Sequence, residues 1–390
     1  MLGTFTTVNN TISSLSLVNC TRITDNGFMM ISNFTHLKNL RIKFSPNITN
    51  KSIVHIANCL EGIEFVSLDE CANLTDESLL AISHLQKLKT LEIPSFKVSE
   101  TTLAIMSNNL KNLSRLVMGS SSTTVSRGEL SSLSFKKLRF IDFKFLECDT
   151  DKALANLVKN NADLVEIVLE NCNISGDFVF QLRKLERLYM PLCNYLGHNF
   201  YVYLQNRVAL EDLHITINSF CNLNISFPNV KKLKAVFSTT YVFAFSNGLS
   251  SYDFLQAGNL SSLYLYTFEP LRIEQVCLEI ILATCSSLTR LNIGSVYFLN
   301  STNLNLVENS NIRELIAYRL ENIDEIVLFK LGRALPNLYS AEIKHTVTIT
   351  KSMVEQFCLH CNYLLHLDVD GVEISELKEL DLPHANVIFG

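Results

Sequence analysis

The chain has 390 residues, 47% hydrophobic and 18% charged, with 7 Pro and 13 Gly, a core-building composition that excludes a disordered chain. Its net charge of −5 comes with no dense cluster of Lys or Arg, which argues against nucleic acid or an anionic membrane as a partner. Met1 to Asn10 form no basic and apolar leader, and no later segment holds the ~20 uninterrupted apolar residues of a membrane helix, so a soluble, cytoplasmic or nuclear protein is expected.

In chain order the first elements are five copies of one pattern: Ile12-x-x-Leu15-x-Leu17, Leu37-x-x-Leu40-x-Ile42, Ile63-x-x-Val66-x-Leu68, Leu88-x-x-Leu91-x-Ile93 and Leu113-x-x-Leu116-x-Met118. Further copies begin at Leu138, Leu164, Leu185, Leu210, Val230, Leu260, Leu288, Ile312, Leu338 and Leu364. Ten of the fourteen intervals are 24 to 26 residues, the period of a solenoid. All 45 residues at the first, fourth and sixth positions are apolar, against 7 of 30 at the third and fifth. That contrast is the period-2 alternation of a strand with one wetted face.

After each strand comes a turn and a helix signal, clearest at Ile23-Thr24-Asp25, Ile48-Thr49-Asn50, Leu74-Thr75-Asp76 and Val98-Ser99-Glu100. Thr or Ser is placed there to cap a helix, with an acid or amide at its positive end. Ser126-x-x-Glu129 has the spacing of a capping box. Helical spacing follows in Phe28, Ile31 and Phe34, in Leu79, Ile82 and Leu85, and in Leu103, Met106 and Leu110. Each copy therefore reads as strand, turn, helix.

One copy cannot bury its own apolar stripe, so the copies must stack. The expected fold is an α/β solenoid of about 15 repeats. Helices are wider than the strand spacing, which gives a curved horseshoe with parallel strands on the concave face and helices on the convex face. Residues 1–390 form one domain in this reading, irregular around 164–287. The copies starting at Leu164 and Leu210 span only 21 and 20 residues, leaving room for little helix. Those at Val230 and Leu260 run to 30 and 28, and 238–258 carries Tyr241, Phe243, Phe245, Tyr252 and Phe254. This insertion either covers the thinned stack, the preferred reading, or forms a binding loop.

Cys20, Cys71, Cys172 and Cys193 occupy the ninth position of their copies, with Ser45, Ser121, Asn218, Ser238 and Thr346 in the same slot elsewhere. All of these can donate to carbonyls of the adjoining turn. Cys285 and Cys361 stand three residues before the next copy, with Cys59 nearly so. With the Ile/Leu-Thr-Asp turn, this pattern resembles the cysteine-containing leucine-rich repeat of F-box proteins across essentially the whole chain. The resemblance implies capture of a substrate protein for a cullin ubiquitin ligase. An F-box would recruit the ligase adaptor, but only eleven residues precede Ile12, too few for that module. Adaptor binding is therefore expected only if an F-box lies upstream, and the alternative is an F-box-free inhibitor acting by binding alone.

Eleven cysteines are an odd number in a long chain and fit reduced thiols better than a disulfide framework. Sequons at Asn33, Asn47, Asn73 and Asn112 read as by-products of repeat composition. Cys358, His360, Cys361 and His366 offer half of a metal site without a second pair at zinc-finger spacing, and buried repeat cysteines are the preferred reading. His55 and Cys59, four apart, read likewise. No glycine-rich phosphate loop and no nucleophile with its base stands out. No enzyme activity and no cofactor is expected.

The third and fifth strand positions project into the concavity, where the candidate binding residues lie. The third-position column alternates in sign through Glu166, Arg187, Asp212 and Lys232, with Arg290 beside Glu314, preferably a self-neutralising ladder and otherwise an orienting surface. Arg41 and Lys43 look unmatched and basic at one end, whereas Glu342, Asp368 and Asp370 around Lys344 look acidic at the other. Tyr264, Tyr266, Ile316 and Tyr318 around Arg290 make an exposed aromatic group of hot-spot composition, unless a long loop folds over it. Tyr189 and His214 complete the candidate face. Six basic and seven acidic residues at the third and fifth positions favour a protein partner, held by a monomer on its concave face.

Overall fold

The computed structural model describes residues 11–147, 150–193, 195–217, 227–237, 259–267, 273–344, 349–370, 372 and 388–389. The chain divides into two units, Met1–Leu196 and Gly197–Gly390. Insertion 238–258 and the ninth-position residues Asn218, Ser238 and Thr346 lie outside the described residues.

In the first unit the alternating segments form strands β1 (Ser14–Val18), β2 (Asn39–Lys43), β3 (Phe65–Asp69), β4 (Thr90–Ile93), β5 (Arg115–Met118), β6 (Phe140–Lys144), β7 (Glu166–Glu170) and β8 (Arg187–Met190). Each pairs in parallel with the next, in a register that aligns like positions of the repeat. Third positions thus make one row from Ser14 to Arg187, and fifth positions another containing Glu92, Val117, Asp142, Val168 and Tyr189. Between the strands run α1 (Asp25–Met29), α2 (Asn50–Cys59), α3 (Asp76–Ile82), α4 (Glu100–Asn109), α5 (Arg127–Ser132) and α6 (Asp151–Asn160).

The second unit contains α7 (His198–Gln205), α8 (Gln275–Thr284), α9 (Glu325–Ala334) and α10 (Lys351–Cys358). Its strands are β9 (Asp212–Ile217), β10 (Lys232–Phe237), β11 (Ser262–Thr267), β12 (Ile273–Glu274), β13 (Arg290–Gly294), β14 (Val296–Tyr297), β15 (Glu314–Tyr318), β16 (Ser340–Lys344), β17 (His366–Val369) and β18 (Ile388–Phe389). Strands β12 and β14 pair with each other, and the others form the parallel sheet. Strand β18 adds to β17 beyond the fifteen copies counted in the sequence.

Every first-, fourth- and sixth-position residue is buried except Ile12 and Leu15, both in the copy that carries β1. Helix residues Phe28, Ile31, Leu79, Ile82, Leu103 and Met106 are buried too, so the core lies between sheet and helices, where each large apolar side chain contributes about 1.5–3 kcal/mol.

The helix starts work differently from the expected caps. Ser99 does accept from Thr102 N, and Ser126 and Glu129 form the capping box, but the side chains of Thr24, Thr49 and Thr75 cap nothing. Instead the first helical residue reaches across to the next copy. The Asp25 carboxylate accepts from Thr49 N at 2.8 Å and Oγ1 at 2.7 Å. The Asn50 Oδ1 accepts from Thr75 N at 2.9 Å, Asp76 accepts from Ser99, and Asp151 Oδ1 accepts from Ser175 N at 2.9 Å. Thr49 and Thr75 are thus held by the preceding copy, so Asp25 and Asn50 link copies, whereas Thr350 caps its own helix by accepting from Met353 N.

Among the described residues, the copies from Leu164 and Leu288 show no α-helix. The short copy from Leu164 has a single 3-10 turn, Asp177–Gln181, as its length requires. The copy from Leu288 has ordinary length, yet its described residues contain no helix. Asn300, Ser301, Thr302, Asn303 and Asn305 there are residues whose side chains compete with helical hydrogen bonds. Neighbouring helices supply the missing partners: Gln275 Oε1 accepts from Asn300 N and Glu279 Oε1 from Asn305 N. Lys330 Nζ, from α9, donates to the carbonyls of Ser301, Thr302 and Leu304 at 2.9, 2.9 and 2.8 Å.

The eighth position of the repeat adopts left-handed backbone at Asn19, Phe44, Glu70, Phe145, Asn171, Leu192, Ser295 and Arg319, with φ between 49° and 60°. Such conformations cost non-glycine residues about 1 kcal/mol or more. A further ladder bond offsets this: Asn19 N donates to Lys43 O at 2.9 Å, Phe44 N to Asp69 O at 3.0 Å, Phe145 N to Glu170 O at 2.9 Å and Arg319 N to Lys344 O at 2.9 Å.

Candidate functional site

The sheet face opposite the helices carries the third, fifth and seventh positions, and every candidate residue falls on it. In the first unit, Arg41 and Lys43 are not unmatched. Arg41 Nη2 lies 3.2 Å from Glu92 Oε2, two strands away, with its guanidinium 5.4 Å from the Phe65 ring centre. Lys43 Nζ lies 2.8 Å from Asp69 Oδ2 and 3.6 Å from Glu70 Oε1. Burial works to raise the Asp69 carboxyl, but hydrogen bonds from Lys43 and Ser95 outweigh it and hold the group below the carboxylate range. The expected basic end is therefore neutralised, by acids in the same rows on neighbouring strands: Asp69 opposite Lys43 and Glu92 two strands along from Arg41.

The ladder reading holds at Glu166 and Arg187, 2.7 Å apart, and the Glu166 hydrogen bond raises the Arg187 pKa. Arg115 stands 3.4 Å over the Phe140 ring. Tyr189 is half-buried in the same fifth-position row as Val168.

In the second unit, His214 lies in register with Lys234, and Lys234 with Tyr264. Tyr264, Tyr266, Ile316 and Tyr318 are all half-buried. Between them β13 presents Arg290, Asn292 and Gly294. Arg290 Nη2 donates to Glu314 Oε1 at 3.0 Å, and hydrogen bonds to Glu314 and then Tyr264 raise its pKa. Lys234 Nζ lies 5.5 Å from the centre of the Tyr266 ring. Gly294 escaped the sequence reading: a Cβ there would lie 3.3 Å from that of Tyr266 and 3.7 Å from that of Tyr318. A side chain there would crowd Tyr266 and stand in ordinary contact with Tyr318. At the last strands Lys344 pairs with Asp368 and, at 3.6 Å, with Asp370, so the acidic end is partly neutralised.

The cysteines act as donors to the repeat. Ninth-position Cys71, Cys172 and Cys193 are buried, each thiol within reach of two carbonyls: Asp69 at 3.3 Å and Ile42 at 4.0 Å, Glu170 at 3.3 Å and Phe143 at 3.8 Å, and Leu169 at 3.3 Å and Pro191 at 3.8 Å. Cys361 Sγ donates to Phe357 O at 3.3 Å, and burial pushes the Cys358 thiol up to about 12. His360 packs edge-on against Phe329, and His366 lies tilted against Tyr339. Among the described residues no group of three or more His, Cys, Asp or Glu is arranged to hold a metal, and no helix is long and apolar enough to cross a membrane. Of the sequons, Asn47, Asn73 and Asn112 each use Nδ2 to donate to a carbonyl of the preceding copy, those of Thr21, Pro46 and Gln86.

No protein-family model matches the sequence. Among solved structures the chain is similar to an internalin (inlF) of Listeria monocytogenes, at 16% identity over 93% of this chain and 88% of that chain, TM-score 0.50. It is similar to a chain of the Rad7 and Elc1 complex in yeast, at 15% identity over 94% of this chain and 83% of that one, TM-score 0.52. A third likeness is to the TLR13–ssRNA13 complex, at 16% identity over 94% of this chain and 59% of that one, TM-score 0.50. At these identities the likeness establishes the fold: an α/β solenoid of leucine-rich repeats.

Proposed function

From a leucine-rich-repeat solenoid as premise, we propose that this chain is a binding protein that captures a protein partner on the open face of its sheet. The observation that carries the reading is the aromatic group on β11, β13 and β15, where three half-buried tyrosines and Ile316 surround Gly294 and Arg290. Aromatic and arginine side chains grouped on an accessible sheet face are what hot spots of protein interfaces are made of. Paired charges of both signs around it favour a protein over a polyanion or an anionic membrane.

The finer reading is recognition of a substrate for a cullin-type ubiquitin ligase of the SCF kind. It is supported by the ninth-position cysteines at Cys71, Cys172 and Cys193, the feature that resembles F-box repeat proteins. Such recognition needs no cofactor and no catalytic residue here. Thiols kept as donors suit a reducing compartment, the cytoplasm or nucleus, with the chain a monomer. The second reading, an inhibitor that acts by occupancy alone, rests on the same face.

Replacing Tyr264, Tyr266 and Tyr318 together by Ala should abolish partner capture in affinity purification with mass spectrometry, while far-UV circular dichroism stays unchanged. Undiminished capture refutes the site. A captured partner whose half-life lengthens on depletion of the chain supports ligase recognition, and an unchanged half-life supports the inhibitor.

A further inference from the structure

On the open face of the first unit the carboxylates come with cations. Asp69 has Lys43 at 2.8 Å, Glu92 has Arg41 at 3.2 Å, Glu166 has Arg187 at 2.7 Å and Glu170 has Lys144 at 2.7 Å. Asp142, in the middle of the fifth-position row, is the exception among the described residues. Its neighbours in register are Val117 on β5 and Val168 on β7, and along its own strand Phe140 precedes it. Its Oδ1 is buried without a hydrogen-bond partner.

The two cations near enough to act on it are engaged elsewhere. Lys144 reaches Glu170, and Arg115 lies over Phe140 with Nε 3.8 Å from Glu92. Desolvation is the largest influence on the Asp142 carboxyl and raises its pKa, the pull of Lys144 and Arg115 being opposed by Glu170 and Glu92. A half-buried carboxylate among valines loses hydration and, among the described residues, gains no hydrogen-bond partner at Oδ1. A cation brought by another molecule would restore the missing interaction at little further desolvation of the acid, and two flanking valines offer contact to an aliphatic stem.

We propose that Asp142 anchors a lysine or arginine side chain of a protein partner, with Val117, Phe140 and Val168 holding its stem and adjoining apolar residues. This rests on the binding reading above and adds the chemistry of one contact: a basic residue flanked by apolar ones, on the first unit's face. A second use of the carboxyl, accepting from a neutral amide or hydroxyl, is separated by the test.

The experiment pans a random peptide library on the full chain, then measures the selected synthetic peptides by fluorescence polarisation. Selected peptides are expected to share one Lys or Arg between apolar residues. Changing that residue to norleucine or citrulline should weaken binding at least tenfold, and so should Asp142→Asn or Asp142→Leu in the chain. Affinity should also fall as pH drops through the raised pKa of Asp142, and Asp142→Asn should flatten this dependence. Melting of both variants should be unchanged or higher, since a lone carboxylate has been removed; a merely structural Asp142 would give lower melting. Peptides without a basic residue, binding indifferent to Asp142→Asn, or failure to select any peptide overturns the proposal. Binding that survives Asp142→Asn but is lost on the triple tyrosine change overturns it while leaving the binding reading intact; indifference to both changes defeats the two together.

Discussion

Lys330→Met removes three donors and keeps most of the length of the side chain. In the copy from Leu288 the segment 299–309 has no helix to satisfy its backbone, and Lys330 Nζ stands within 2.9 Å of three of its carbonyls. A hydrogen bond to a charged group is worth roughly 1.5–3 kcal/mol when it is shielded. Lys330 is half-buried, so water replaces part of what is lost, and a total of about 2–4 kcal/mol is expected rather than the full sum. Urea unfolding followed by circular dichroism gives the loss. Hydrogen exchange measured by mass spectrometry should accelerate in 299–309 first, because Gln275, Glu279 and Asn309 tie the segment at fewer points. Lys330→Arg should recover only part, since a planar fork cannot place one nitrogen among three carbonyls. A loss under about 0.5 kcal/mol with unchanged exchange would show that water does the work assigned to the ammonium.

Gly332→Ala should cost about 1–3 kcal/mol by overpacking, because a Cβ there would fall 2.0 Å from the Phe357 carbonyl oxygen where α9 meets α10; urea unfolding reads it. Leu116→Asp should abolish cooperative melting of the first unit, as Leu116 is 1% exposed and a carboxylate there would be buried unpaired; a native far-UV spectrum and melting curve would refute this. Asp25→Ala should cost about 1–2 kcal/mol by freeing Thr49 N and Oγ1. Burial raises the Asp25 carboxyl, but the Thr49 bonds outweigh it and the folded pKa is lowered. Its contribution is thus present above the unfolded carboxyl's pKa and lost as pH falls through the folded one, so the gap between Asp25→Ala and the parent chain should close in acid melts.

The inside and outside of this protein were legible from side-chain type alone. Leu40, Leu116 and Leu338 are buried because first, fourth and sixth positions recur, and a one-residue slip would turn them all outward. The ninth-position cysteines could be assigned as donors for the same reason: periodicity places like residues beside like. Tyr264, Tyr266 and Tyr318 were likewise readable as a group, since register makes neighbours of residues about twenty-five apart.

Only the tertiary structure decided which outward side chains meet. Arg41 reaches past Ser67 to Glu92, two strands along the same row, a choice set by the length and rotamer of the side chain. Among the described residues Asp142 has no ion pair because Lys144 and Arg115 turn elsewhere, and nothing in its position separates it from paired Glu92 in the same row. The left-handed eighth position holds Phe44, Phe145 and Arg319, residues that carry no turn signal, because the ladder bond to the next copy outweighs local preference. A repeating sequence determines which face a residue occupies, since that depends on backbone period; it leaves the pairing of long polar side chains to three-dimensional reach and competition.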